Sequence, residues 1–297
     1  MRRKKKQKII VIVGPTASGK SDLAVEIARK HSGEVISADS RQVYKGLDIG
    51  TGKITKKEMK GVPHHLLDVV SPKRVFTVVD FKEKAERAIK DIASRGKLPI
   101  IAGGTGFYIQ AFIDNIDFPA VPANKKLREK LATKKTEELF EEISRLDQDR
   151  AASIDPKNKQ RLIRAIEIVR TLGKVPKAKQ PSRYDVLMIG IKIDNEKLRK
   201  RIEKRLKARM KRGMIAEAKR LHKKGLSYKR MEELGLEYRC LAKFLRGKIT
   251  KKELVREIEI KDWQYAKRQK TWFERDKRIR WFPLAEQNKI IKLVFSF

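Results

Sequence analysis

Ile9-Ile-Val-Ile-Val-Gly-Pro-Thr-Ala-Ser-Gly-Lys-Ser21 decides the fold. Its first five residues form an unbroken apolar, β-branched run, the pattern of a strand buried on both faces. The next eight match G-x-x-x-x-G-K-[ST], and from Ser21 to His31 the residues Leu23, Ala24, Ile27 and Ala28 share one helical face. Strand, glycine loop and helix in that order make an anion cradle. The glycines let backbone N–H groups wrap a phosphate at a helix N-terminus, Lys20 adds a point charge, and the Ser21 hydroxyl can hold Mg²⁺. Gly14, Thr16, Ala17, Ser18, Gly19, Lys20 and Ser21 are therefore the candidate phosphate site. The loop alone leaves open whether the phosphate belongs to ATP.

Outward from this loop the alternation continues. Glu34 to Asp39 reads as a second strand, Ala85 to Arg95 as a helix with Ala85, Ala88, Ile89 and Ile92 inward, and Leu98 to Ala102 as another apolar strand. This is an α/β chain with a parallel-sheet core of the P-loop nucleoside-triphosphatase kind. Asp39 closes the second strand, where a carboxylate serves either as a metal ligand for a nucleotide or as a general base beside the bound phosphate compound. Spacing does not choose between them.

Pro119 and Pro122 open, and Pro176 and Pro181 close, a stretch without strand signal and with helical spacing in Leu139, Phe140, Ile143 and Leu146. It reads as an inserted helical subdomain. Val186 to Ile193 returns as a strand, and from Asn195 onward the composition is helical, broken at Gly213, Gly225, Gly235 and Gly247. The expected division is a core over 1–117, a helical insertion over 118–183, a return strand with a basic helical region over 184–285, and an unassigned tail over 286–297.

The 297 residues carry 74 Lys+Arg against 37 Asp+Glu, a net +37. The excess is +10 over 1–117, +7 over 118–195 and +20 over 196–297. A one-sided excess of this size favours a polyanion such as an RNA backbone over a merely solubilising surface, which mixes signs. The single Cys240 excludes an intramolecular disulfide or a thiolate zinc cluster, and fits a reducing cytoplasm. The basic head followed by Ile9 to Val13 is too short in its apolar part for an export signal or a membrane span. His64 and His65 lack a second ligand cluster and are expected to be structural. Trp263, Trp272 and Trp281 recur every nine residues, which on one straight helix alternates faces; packing is expected of them, with Lys267, Arg268 and Lys270 turned to solvent or RNA.

These residues resemble the tRNA dimethylallyltransferases, also called tRNA isopentenyltransferases. The resemblance rests on Gly14 to Ser21, Asp39-Ser-Arg-Gln-Val-Tyr44 with Asp48-Ile-Gly-Thr51, Pro63-His-His-Leu-Leu-Asp68, Gly103-Gly-Thr-Gly-Phe-Tyr108, Gln160-Arg-Leu-Ile-Arg164, Arg205 with Met210 and Gly213, and Ala266-Lys-Arg-Gln-Lys-Thr-Trp272. Gly52 and Phe107 depart from the family's usual alanine and leucine. The resemblance implies transfer of a dimethylallyl group from dimethylallyl diphosphate to the exocyclic amine of the adenine just 3′ of a tRNA anticodon, with Mg²⁺. It implies that the phosphate loop and Arg205 hold the donor's diphosphate, that Asp39 is the base and that Thr105 fixes the amine. It further implies tRNA contacts from Asp39, Ser40, Arg41, Gln42, Thr105, Arg128, Gln160, Arg161, Leu162, Ile163 and Arg164, in an enzyme that extrudes its target base; a monomer is expected, though the sequence leaves the oligomeric state open. An enzyme prenylating free adenine nucleotides, a small-molecule kinase using Asp39 for metal, and a non-catalytic RNA-binding protein are the competing readings.

Overall fold

The computed structural model describes residues 6–176 and 181–297; the basic stretch 1–5 lies outside them. Six strands form one sheet, β1 (Gln7–Val13), β2 (Gly33–Ser37), β3 (His64–His65), β4 (Leu98–Gly103), β5 (Tyr184–Lys192) and β6 (Ile279–Pro283), in the order β3-β2-β4-β1-β5-β6. Every pairing is parallel. β1 is central, and its alternation divides the core: Ile9, Val11 and Val13 face one apolar layer, Ile10 and Ile12 the other. Truncating Ile10, which is fully buried, to Ala should cost about 2–5 kcal/mol.

α1 (Lys20–Lys30) covers the Ile10/Ile12 face, and α2 (Lys56–Met59) is a single capped turn. α3 (Val78–Ser94) and α4 (Gly106–Ile113) cover the other face. α3 begins seven residues before the sequence pattern suggests. Thr77 and Asp80 form a capping box there, which holds a first turn of two β-branched valines in helix.

The described residues within 115–181 form a compact unit of their own. α5 (Lys125–Ala132), α6 (Thr136–Leu146), α7 (Gln148–Ser153) and α8 (Lys159–Leu172) close around Leu139, Ile143, Leu162 and Ile166. The described residues before 115, together with 182–297, make the other unit. After β5 it continues through α9 (Asn195–Lys211), α10 (Met214–Lys223), α11 (Tyr228–Leu234), α12 (Leu236–Leu245) and α13 (Lys251–Glu274) to β6 and α14 (Gln287–Ser296).

In this C-terminal region one expectation is corrected and one unassigned stretch is placed. Ile279-Arg-Trp-Phe-Pro283 is an edge strand inside what reads as helical sequence, where proline is tolerated because one side of the ladder is open. The tail 286–297 is part of the core: Ile290, Ile291 and Val294 of α14 are buried with Leu23 and Ile27. Trp281 consequently lies on β6, and the alternation argued for one straight helix does not extend to it. Trp272 and Trp281 pack against the main core and Trp263 against Leu198, Ile202 and Ala266. No described helix is long and apolar enough to cross a membrane.

Candidate active site

The carboxyl ends of β1, β2 and β4 converge on one cavity of about 440 Å³, the position an open parallel sheet reserves for ligands. From β1 comes the phosphate loop. Gly19, in left-handed conformation, is the N-cap of α1 and offers no side chain to cap it. The N–H groups of Lys20, Ser21 and Asp22 therefore have no intrahelical acceptor and face the cavity end of a helix dipole. Thr16, Ala17, Gly19, Lys20 and Ser21 line the cavity, while Gly14 and Ser18 are buried behind it. The Ser18 hydroxyl, fully buried, has no hydrogen-bond partner among the described residues. Lys20 folds back so that its Nζ donates to Pro15 O (2.6 Å). Burial, and then the Arg205 charge, push the Lys20 ammonium down to about 7 against the pull of Asp39.

From β2 comes Asp39. Its Oδ1 accepts from the backbone N–H of Arg41 (2.8 Å) and of Gln42 (3.2 Å), which anchors the carboxylate and leaves Oδ2 outside these bonds. Arg41 and Gln42 line the cavity beside it. From β4 comes Thr105, whose Oγ1 accepts from Ser40 N (3.0 Å) and whose N–H donates to Ala38 O (3.1 Å). Thr105 is thus tied to the loop that carries Asp39.

α9 lays an arginine every four residues over this end. Arg201 Nη1 donates to Ser18 O (3.1 Å). Arg205 Nη1 donates to Thr16 Oγ1 (3.0 Å) and its Nη2 to the carbonyls of Thr51 (3.3 Å) and Gly52 (3.2 Å). Arg209, buried, donates to Gly50 O (2.9 Å), to Glu237 (2.6 Å) and to Asp262 (2.7 Å). Burial, and next the neighbouring Arg209, lower Arg205; burial and Glu237 raise Asp262. Repulsion among these cations is relieved when an anion enters the cavity. An alanine at 52 would place its Cβ 2.0 Å from Arg205 Nη2, so the departure at Gly52 leaves room for this guanidinium.

Three positions at or behind the cavity receive no role from sequence reasoning, although Gln269 lies within the Ala266 to Trp272 motif. Gln269 accepts from Thr16 N and donates to Gly104 O, 253 and 165 residues away. Tyr265, one turn earlier on α13, lines the cavity; burial, then Asp39, raise its hydroxyl. Glu217 collects the N–H groups of Asp48 (3.0 Å), Ile49 (2.8 Å) and Gly50 (2.8 Å) and the Tyr238 hydroxyl (2.6 Å), which explains the Asp48 to Thr51 segment as a loop wound round a buried carboxylate. The motif at 48–51 points to that loop, but not to its partner.

His64 and His65 form β3, with His64 Nδ1 at 2.8 Å from Val62 O and His65 Nε2 at 2.7 Å from the buried Glu34. Among the described residues no cluster of three His, Cys, Asp or Glu side chains is placed to hold a metal.

The remaining candidates lie in the helical unit. Arg128 donates from Nε (3.0 Å) and Nη2 (2.6 Å) to the two oxygens of Glu167, and Arg164 pairs with the same carboxylate. Burial works to raise Glu167, but the Arg128 and Arg164 hydrogen bonds outweigh it and bring the carboxyl to about 2. Arg128, Gln160 and Arg164 line one groove of this unit, and Arg161 is exposed on the same helix. Leu162 is corrected: at 0% exposure its side chain is core and holds α8 in place rather than offering an RNA-facing surface, while Ile163, 4% exposed, packs in the same core and also borders the groove.

A family model described as IPP transferase matches residues 42–276. A tRNA dimethylallyltransferase of Anoxybacillus flavithermus is 40% identical over 94% of this chain and 91% of its own length, and tRNA dimethylallyltransferase 2 of Treponema denticola is 45% identical over 91% and 92%. Among solved structures, the tRNA isopentenylpyrophosphate transferase of Bacillus halodurans superposes with a TM-score of 0.76 at 36% identity, covering 98% of this chain and 96% of that one. A eukaryotic dimethylallyltransferase acting on tRNA gives 0.78 at 30% identity, covering 90% and 70%. A match across most of the chain means that the chain belongs to the IPP transferase family.

Proposed function

We propose that this protein transfers a dimethylallyl group from dimethylallyl diphosphate to the N6 amine of the adenine 3′ of the anticodon in tRNA and releases diphosphate. The observation that carries the reading is the meeting, in one cavity, of an anion cradle flanked by Arg205 with a strand-end carboxylate, Asp39. Relatives of this chain are named tRNA dimethylallyltransferases, which supports dimethylallyl transfer to tRNA.

The chemistry follows from the residues. The diphosphate sits on the open N–H groups of α1 with Lys20 and Arg205 about it, and these donors stabilise the charge that grows on the leaving oxygen as the allylic C–O bond breaks. The adenine N6 forms the new C–N bond, and its proton passes to Asp39 Oδ2. The electron pair of the broken bond leaves with diphosphate. Thr105, tied through Ser40 N to the Asp39 loop, steadies the amine. Mg²⁺ fits as a shared ion: the Ser21 hydroxyl would hold it together with diphosphate oxygens, and it would neutralise the leaving group.

The target base must leave its stack to reach such a cavity, so the anticodon loop has to be gripped from outside. Arg128, Gln160, Arg161 and Arg164 supply that grip, with Arg41 and Gln42 at the cavity. The tRNA substrate and the buried Cys240 thiol fit a reducing cytoplasm, and one chain carries every residue named, so a monomer suffices.

Labelled dimethylallyl diphosphate and Mg²⁺, offered with unmodified tRNA, with free adenine nucleotides, or with ATP and small-molecule acceptors, tests the proposal. Label entering tRNA alone, without ATP, is expected. Label in free nucleotide only, or phosphate transfer from ATP, would sink it.

A further inference from the structure

We propose that Gln269 is a positioning residue: its side-chain amide is a strut that sets the spacing between the loop holding the prenyl donor and the loop holding the acceptor amine. The inference rests on the reaction proposed above.

The amide is 5% exposed and makes two hydrogen bonds in opposite senses. Oε1 accepts from Thr16 N (2.7 Å) in the phosphate loop, and Nε2 donates to Gly104 O (2.9 Å) in the loop that leads to Thr105. Because one partner is a donor and the other an acceptor, the amide has a single orientation that satisfies both. Glutamate would meet the Gly104 carbonyl with a second acceptor, and an apolar residue would leave both backbone groups unpaired in a buried place.

The sequence of the acceptor loop is built round this contact. Gly104 does not have a positive φ, so its backbone does not require glycine. A Cβ there would fall 2.0 Å from Gln269 Nε2. Gly106 repeats the device one turn along α13, where a Cβ would fall 2.2 Å from Trp272 Cδ1. Gly104 and Gly106 are thus the seats into which Gln269 and Trp272, three residues apart on one helix face, are pressed. Thr105 is held between them, and the other end of the strut reaches Thr16, whose hydroxyl also accepts from Arg205.

The two loops carry opposite halves of the reaction. The allylic carbon is positioned from the Thr16 side and the amine from the Thr105 side, and transfer needs these atoms about 3–3.5 Å apart. A residue that fixes the gap acts on the rate of the bound complex and little on either affinity.

The test uses the full chain and three variants. Gln269→Met keeps length and packing and removes both bonds; Gly104→Ala drives the amide off its seat; Gln269→Glu keeps the acceptor for Thr16 N–H and removes the donor to Gly104 O. With donor and tRNA saturating, Gln269→Met should lower the single-turnover transfer rate on the order of 10²-fold, the scale of a 1 Å misplacement. Dissociation constants for donor and tRNA should stay close to those of the parent chain. The Gln269→Met/Gly104→Ala double variant should be no slower than the worse single one, since both break one strut. Hydrogen exchange without substrates gives a readout that needs no turnover. Amides of 14–21 and 103–108 should lose protection together in Gln269→Met, and those of 103–108 alone in Gln269→Glu. An unaltered saturated rate, losses that multiply in the double variant, or unaltered protection in either loop of Gln269→Met would overturn the strut. If the parent chain itself fails to prenylate tRNA, the reaction reading falls, and the exchange measurement still decides whether Gln269 spans the two loops.

Discussion

The cavity end of the sheet and the groove of the helical unit both set arginines on buried carboxylates, and they do so to opposite ends. At the cavity, Arg209 is itself buried, spent on Gly50 O, Glu237 and Asp262. In the helical unit, Glu167 is 1% exposed but its partners Arg128 and Arg164 remain 42% and 36% exposed. The first arrangement sets buried ion pairs behind a cavity that Arg205 and Lys20 line, which suits a small anion. The second aims guanidinium groups outward from a fixed base, which suits a long phosphate backbone. A preorganised pocket and a preaimed surface are different answers to a small and a large polyanion.

The largest expected effect breaks the first half of that contrast. Asp39→Ala should lower transfer by about 10²–10⁴-fold, the range for loss of a general base, with tRNA affinity kept. Collapse of tRNA affinity with normal turnover, read by filter binding against single-turnover rates, would contradict the assignment. Arg205→Ala comes next. Loss of one donor to the leaving group should cost about 10²–10³-fold in turnover and also weaken donor binding, whereas Arg128→Ala should leave donor binding unchanged.

Glu167 tests the second half. Its carboxyl is depressed to about 2 in the folded chain from an ordinary 4.5, so the unfolded chain binds the proton more tightly. The stability this group contributes is complete above the unfolded value and is lost as pH falls from about 4.5 toward 2. Hydrogen-exchange protection of the helical amides within 115–172, followed across that range, should fade early in the parent chain and lose this dependence in Glu167→Gln.

The smallest effect concerns Lys20, whose ammonium is pushed down to about 7. Its folded state holds the proton less tightly than the unfolded chain, so its contribution to stability without ligand rises between about pH 7 and the ordinary lysine value. A diphosphate reverses this and should draw a proton onto Lys20. Titration calorimetry of donor binding in buffers of differing ionisation enthalpy, at a pH above 7, should report net proton uptake that vanishes in Lys20→Met.

Much of the fold and of the site is legible in the amino-acid sequence, because the informative signals are local. Ile9 to Ser21 announces a strand, a loop and a helix through contiguous residues, and Asp39 is marked by its place at a strand end. What escapes depends on distance in sequence. Gln269 lies in the Ala266 to Trp272 motif, but its partners show only when it is set against Thr16 and Gly104, and Glu217 gains meaning only from three N–H groups 167 to 169 residues away. The five residues of β6 are hidden by the charged helical sequence before them and by Pro283. Leu162 enters the RNA-facing set through the family motif that also carries Arg161 and Arg164, but adjacent residues on a helix face different ways, and its side chain turns into the core.

The central claim is that a base-flipping prenyl transfer takes place between the phosphate loop and Asp39. Mass spectrometry of nucleosides and nuclease fragments from tRNA incubated with this protein, dimethylallyl diphosphate and Mg²⁺ tests it most directly. The account predicts one dimethylallyl group per tRNA, on N6 of the adenine 3′ of the anticodon, formed by the parent chain and not by Asp39→Ala. Modification at another position, or equal modification by the Asp39 variant, would contradict it.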